Sequence, residues 1–165
     1  MRLRPARAAD AATIAAIWNP QIRDTAVTFN SREKTAAGMA EEIVARQAAG
    51  HAFLVAEDAG GPAGFATYFQ FRGGPGYART MEHTVVLGPA ARGRGMGRAL
   101  VTALEDHARA AGAHSMIAGV SGENPAGVAF HERLGYARIA LLPEVGWKFG
   151  RWMDLIVLQK VLEAR

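Results

Sequence analysis

The sequence contains no cysteine, which excludes a disulfide framework, a thiolate metal site and a cysteine nucleophile. It also lacks any apolar run approaching the roughly eighteen residues that a bilayer crossing needs. The opening Met1-Arg2-Leu3-Arg4-Pro5 is basic, but no apolar core of a signal peptide follows it. These absences point to a cytoplasmic protein with no membrane partner. Aromatic residues are sparse at 8%. The densest basic group, Arg92, Arg94 and Arg98, sits among glycines rather than aromatics. Platforms for single-stranded nucleic acid interleave aromatic and basic side chains. The net charge of +4 and the pI near 10.0 therefore do not imply a nucleic-acid partner. A basic, Gly-rich turn suits a compact polyphosphate better.

What is present reads as one globular domain, residues 1–165, with 50% apolar and 21% charged residues and no internal repeat or linker. Arg2 to Pro5 reads as a strand. Asp10 is placed to cap a helix carrying Ile14, Ala15 and Trp18, with Pro20 as its stop. Residues 22–32 read as a loop, and Lys34 to Ala49 as a second helix ended by Gly50. Ala52 to Ala56 and Gly64 to Phe69, separated by Asp58-Ala59-Gly60-Gly61-Pro62, form a hairpin pattern. A Gly-rich loop at 72–76 leads into a strand over Arg79 to Leu87. Met96, Leu100, Leu104 and Ala108 mark a helix closed by Gly112. Met116 to Val120 reads as a buried strand and Asn124 to Leu134 as a short helix. Tyr136 to Leu142 and Trp152 to Gln159 read as two final strands. Met96, Met116, Trp18 and Trp152 are expected in the core. The order mixes antiparallel hairpins with helical crossovers, so the class is α/β or α+β around one twisted sheet.

The segment Val85 to Leu100 runs strand, turn, helix. Glycines at 93, 95 and 97 permit left-handed backbone angles and remove Cβ atoms from the approach path. Amides at the start of a helix then converge on one point that favours an anion, and Arg92, Arg94 and Arg98 can add charge-assisted bonds. The spacing is Gly-x-Gly-x-Gly, not the dinucleotide fingerprint, and no Gly-Lys-Ser/Thr is present, which excludes a P-loop.

Arg92-Gly93-Arg94-Gly95-Met96-Gly97 resembles the Arg/Gln-x-x-Gly-x-Gly/Ala signature of the Gcn5-related N-acetyltransferase (GNAT) superfamily. Asn124 to Tyr136 resembles that superfamily's downstream Asn-x-x-Ala pattern, and the element order fits over nearly the whole chain. The resemblance implies the GNAT fold, a mixed sheet of about seven strands flanked by about four helices, with acetyl-CoA as co-substrate and no metal. It also implies a coenzyme site at Val85, Val86, Leu87, Arg92, Gly93, Arg94, Gly95, Met96, Gly97, Arg98, Asn124 and Arg133. The Val86 amide would be the oxyanion donor and Asn124 a partner of the pantetheine arm. By its residue type Asn124 also suits a helix N-cap. Three segments, Gly76 to Val85, Phe130 to Tyr136 and Pro143 to Asp154, are similar to the phosphinothricin and methionine sulfone/sulfoximine acetyltransferases. Those enzymes acetylate the α-amine of glutamate- or methionine-like compounds. The 72–76 loop is more Gly-rich than theirs.

Acetyl transfer to an amine needs a base for the ammonium, a donor for the oxyanion and, for the departing thiolate, a proton. Glu82 is the candidate base, provided that the strand carrying it splays as the superfamily's does. His131 stands where many members carry a tyrosine near the sulfur. It reads either as a proton donor or relay or as a histidine satisfied within the fold. His83 alternates to the opposite face from Glu82 and reads as structural, at a dimer surface. Arg72 or Arg79 is placed to clamp a substrate carboxylate. Phe29, Tyr77 and the 148–151 stretch complete the expected pocket, with a homodimer as the expected assembly. The expected function is acetyl transfer to a small amino-acid-like amine in a ternary complex. The alternatives are a peptide or protein N-terminal acetyltransferase, a coenzyme A-binding module without catalysis, and a nucleic-acid-binding module.

Overall fold

A computed structural model describes residues 1–163. Seven strands form one sheet in the order β1-β2-β3-β4-β5-β7-β6. They are β1 (Arg2–Pro5), β2 (Phe53–Asp58), β3 (Gly61–Gln70), β4 (Thr80–Leu87), β5 (Ser115–Ser121), β6 (Ala137–Lys148) and β7 (Arg151–Val161). The helices are α1 (Ala11–Asp24), α2 (Ala36–Ala48), α3 (Met96–Ala110) and α4 (Pro125–Glu132). This is the expected mixed sheet with four helices.

Side chains alternate across the pleat, and both faces are covered. Phe53, Val55, Phe65 and Val86 pack with Ile14, Met39 and Ile43 of α1 and α2. On the other face, Ala52, Ala56, Ala66, Tyr68, Met116 and Leu158 pack with Met96, Leu100, Leu104 and Ala108 of α3 and Val128 of α4. Each fully buried leucine contributes on the order of 1.5–3 kcal/mol. The expected i, i+4 row of α3 therefore fastens the helix that begins at the Gly-rich turn.

Sequence and structure part at several places. Pro20 does not stop α1, which continues to Asp24. Ile22, one half-turn later, is fully buried and anchors the last turn. Asp10 makes no side-chain cap to α1. Its carboxylate instead accepts two bonds from Arg4, at 2.7 and 2.9 Å, and one from the Arg7 amide at 2.8 Å. Thr35 caps α2, its Oγ1 accepting from the Gly38 amide at 3.0 Å. The expected break after Leu142 is a bulge within β6, with register shifting between Leu142 and Gly146 and Glu144 at φ 54. Met96 and Met116 are buried as expected, whereas Trp152 is 57% exposed. Trp152 meets Trp147 edge to face on the β6–β7 hairpin.

One feature of the sheet positions everything else. β4 and β5 are the one parallel pair, and their register covers Thr80–Glu82 against Ser115–Ile117 alone. Beyond Glu82 the two strands separate, while β4 stays paired with β3 through Leu87 and β5 with β7 through Ser121.

Candidate active site

The gap between the separated strands is a cavity of about 370 Å³, walled by Glu82 to Val86 of β4 and Ala118 to Ser121 of β5. It joins a groove of about 690 Å³ that runs over the start of α3 and along α4. Gln21, Val27, Val85, Asn124, Gly127 and His131 line both spaces and mark the junction.

Glu82 faces the cavity as the splayed strand predicted. Its carboxylate has no hydrogen-bond or ion-pair partner among the described residues. Gly119 leaves room for it: a Cβ there would lie 3.3 Å from Glu82 Oε1. Burial pushes the carboxyl above the usual glutamate range, which strengthens it as a base.

The groove is built by the Gly-rich turn. Gly93 and Gly95 take φ values of 72° and 78°, angles that other residues adopt with strain. Gly95 is the N-cap of α3, so the first amides of the helix are left for a ligand. Gly97 serves differently from the other two, since a Cβ there would lie 3.2 Å from the Phe130 ring and 3.3 Å from Leu87. It permits α3, α4 and β4 to meet. Arg92, Arg98 and Arg133 line the groove. Arg94 does not, because its guanidinium turns to Asp58 at 2.9 Å and ties the turn to the β2–β3 hairpin. Val86 lines the cavity instead of the groove. Asn124 caps α4, its Oδ1 accepting from the Gly127 amide at 2.9 Å, and also lines the groove.

His131 belongs to a buried chain of side chains. Its Nδ1 lies 2.8 Å from the Gly127 carbonyl and its Nε2 lies 3.0 Å from Nε2 of His83. A carbonyl can only accept, so His131 carries its proton on Nδ1 and its bare Nε2 accepts from His83. Tyr136 follows, its hydroxyl 3.5 Å from His83 Nδ1 and donating at 2.9 Å to Glu105, which Lys160 meets at 2.6 Å. Burial, helped by the facing His131, pushes His83 down to about 3. Burial also lowers His131, against the upward pull of the Gly127 carbonyl and Glu105. Both rings are neutral, and both nitrogens of His131 are engaged inside the protein. His83, expected at a dimer surface, is 7% exposed within the core.

Of the expected substrate residues, Phe29 lines the cavity. Arg72, Tyr77 and Arg79 do not. They lie on the exposed 71–79 connection, where Arg72 stacks over the Tyr77 ring at 5.5 Å. Within one chain the carboxylate clamp is therefore not assembled. Trp18 packs against the core as expected, its ring 5.3 Å from that of Phe65, and it also lines the cavity with Gln21, whose Nε2 donates to the Leu87 carbonyl at 3.0 Å. Their spacing of three places both on one face of α1.

Residues 15–136 match the Acetyltransferase (GNAT) family. The chain belongs to that family. It is an acetyl-CoA-dependent N-acetyltransferase, and the Gly-rich turn lies within the matched residues. An L-amino acid N-acyltransferase, MnaT, from Escherichia coli is 39% identical over 100% of this chain and 96% of its own length. An L-methionine sulfoximine/L-methionine sulfone acetyltransferase from Salmonella typhimurium is also 39% identical, covering 99% of this chain and 95% of that protein. Among solved structures, a GNAT superfamily phosphinothricin acetyltransferase from Sinorhizobium meliloti, in complex with acetyl-CoA, superposes with a TM-score of 0.91. It is 32% identical and covers 97% of this chain and 87% of that one. The resemblance to these amino-acid acetyltransferases is thus borne out at full length.

Proposed function

We propose that this GNAT acetylates the α-amine of a small, carboxylate-bearing amino-acid analogue of the phosphinothricin, methionine sulfone or methionine sulfoximine type. The observation that carries this reading is the junction of groove and cavity, with Glu82 unpartnered in the cavity. The groove holds acetyl-CoA, its pyrophosphate at the Gly93–Gly97 amides beside Arg92 and Arg98, and its pantetheine arm along Val85 to Leu87 past Asn124. That arm would take the place that β5 vacates beside β4. The amine enters from the cavity side, between Phe29, Trp18 and the two strands. A cavity of about 370 Å³ is at the small end of ligand sites and fits an amino acid better than a peptide.

In the reaction, Glu82 takes a proton from the substrate ammonium, directly or through a water, and frees the nitrogen lone pair. Nitrogen attacks the thioester carbonyl while the oxyanion rests on a backbone amide, with Val86 as the proposed donor. The tetrahedral intermediate then expels the sulfur: the C–N bond forms, the C–S bond breaks and the second amine proton leaves to solvent. A thiol is a far stronger acid than an alcohol (cysteine's ionises at about 8.5), so sulfur can depart as a thiolate without prior protonation. His131, neutral and bonded at both nitrogens, we assign to holding the shape of the junction rather than to proton donation.

Arg72, Tyr77 and Arg79 enter the reading through assembly. We propose a homodimer in which the exposed 71–79 connection of one protomer faces the cavity of its partner and supplies the carboxylate clamp. Leu141, Trp147 and Trp152, each more than half exposed, are apolar surface that such an assembly would cover. The test of function is release of coenzyme A thiol with free amino acids, the three analogues and a short peptide. Turnover of the analogues without turnover of the peptide is expected. Preference for the peptide would overturn the reading.

A further inference from the structure

β6 has twelve residues, and along it Gly146 and Lys148 alone are buried. Both face the connection between α1 and α2, residues 25–35, which carries Val27, Thr28, Phe29 and Asn30 into the cavity wall. Lys148 is 3% exposed. Its ammonium donates to the Thr25 carbonyl at 2.6 Å and the Thr28 carbonyl at 2.8 Å. Among the described residues no carboxylate pairs with it. Two residues away, the Phe29 ring occupies the space of the absent Gly146 side chain. A Cβ there would fall 2.4–2.6 Å from three ring carbons.

A buried ammonium without a carboxylate is costly unless its donors are satisfied. Here the satisfaction comes from the loop itself. Carbonyls at 25 and 28 must converge on one nitrogen, which fixes the curvature of the segment between them. The loop's other bonds across 25–32 are local: Thr25 Oγ1 to the Gln21 carbonyl, and the amides of Val27, Asn30 and Arg32 to side chains two residues back. None of these sets the height of the loop above the sheet. Lys148 does so by charge-assisted bonds, and Gly146 does so by giving the Phe29 ring a seat.

We propose that Gly146 and Lys148 are positioning residues for the amine site, a clasp from the β6–β7 hairpin that sets Phe29 over the cavity and so decides which amine side chains fit. This rests on the reading that the cavity receives the amine. Val27 is the sole loop residue that also lines the coenzyme groove, so the clasp acts on amine affinity far more than on coenzyme affinity.

The experiment compares the full-length wild type with Lys148→Met, Lys148→Arg and Gly146→Ala. The readouts are amine KM and kcat, acetyl-CoA affinity by calorimetry, Tm, and amide exchange of residues 27–30. Lys148→Met should raise amine KM at least tenfold with coenzyme affinity within threefold, and Lys148→Arg should recover part of the loss. Gly146→Ala, by displacing Phe29, should change the rank order of amines. Amine KM within twofold of wild type in Lys148→Met overturns the proposal. So does a parallel loss of amine and coenzyme binding, which would mark a merely structural lysine. If the wild type binds acetyl-CoA but acetylates no amine offered, the functional reading falls and exchange decides the clasp. Exchange at 27–30 faster by tenfold or more in Lys148→Met upholds it, and unchanged exchange overturns it.

Discussion

At the scale of single residues, the chemistry depends on what each buried polar group is denied. Glu82 has no partner among the described residues and is denied a full solvent shell, and that burial makes its carboxyl titrate above the usual range. The acid limb of kcat/KM should follow it: activity falls as pH drops through that raised value, and Glu82→Gln should remove the limb along with about 100-fold or more of kcat. Coenzyme affinity should stay near wild type, measured by calorimetry. A full-rate Glu82→Gln enzyme would remove Glu82 from the mechanism. The His83–His131 pair is denied protons instead. Burial lowers both rings, so the unfolded chain takes up protons below about 6.5 that the folded chain cannot. The stability of the folded state is therefore complete above that value. For His83 it falls as pH drops towards about 3, by up to about 1.4 kcal/mol per pH unit, and His131 acts in the same direction. Thermal melts between pH 7 and 5 check this: the wild type should lose more Tm across the interval than His83→Gln. A His83→Phe variant, which has no donor there, should start lower, since His131 Nε2 loses its buried donor at a cost of about 1–3 kcal/mol.

At the scale of elements, the three glycines of the turn should separate by substitution. Gly95→Ala should cost about 1–2 kcal/mol through its left-handed backbone and should weaken acetyl-CoA. Gly97→Ala should cost about 1–3 kcal/mol through overpacking against Phe130 and Leu87, read by denaturant melts. The sequence showed three equivalent glycines; the backbone angles divide them. Elements with strong periodicity were legible. The α3 row and the hairpin of β2 and β3 fall within a few residues of expectation, because burial on one face enforces the pattern. The end of α1 was not legible, because burial of Ile22 outweighs the bond that Pro20 removes. Nor was the length of β6, whose Pro143 and Glu144 are absorbed by a bulge that no local rule announces. Glu82 and Asn124, which the family resemblance implied, and Phe29, which its residue type suggested, line the cavity, and Arg92, Gly93, Gly95, Met96, Gly97 and Arg98 line the groove. Arg94, expected at the coenzyme site, turns to Asp58, a partner far away in sequence. Lys148, expected with 149–151 in the pocket, is buried beneath the 25–35 connection instead; a lysine is ordinarily exposed, and the reason for its burial lies on a different element.

At the scale of the whole molecule, acetyl-CoA should stabilise the fold by mass action. At about one hundred times Kd the gain is about 2.7 kcal/mol, or roughly 5–10 °C in Tm for a chain of this size. A flat response at saturating ligand would remove the groove as a coenzyme site. The proposed homodimer makes a sharper prediction. Glu82→Gln and Arg79→Ala chains, each impaired alone, should regain activity when mixed and allowed to exchange, if the clamp crosses between protomers. Additive residual rates would place Arg79 outside its partner's cavity.

The short seam between β4 and β5 has a mechanical consequence. The sheet is two plates, β1 to β4 and β5 with β7 and β6, stitched across three residue pairs at one end. Beyond that seam the edge of β4 has no β5 partner. The pantetheine arm, laid along the open edge of β4, would extend the stitching and act as a splint between the plates. Cavity width would then be set by the first substrate bound, and the expected order of addition is coenzyme first, amine second. Double-reciprocal and product-inhibition plots should show it, with coenzyme A competitive against acetyl-CoA and noncompetitive against the amine.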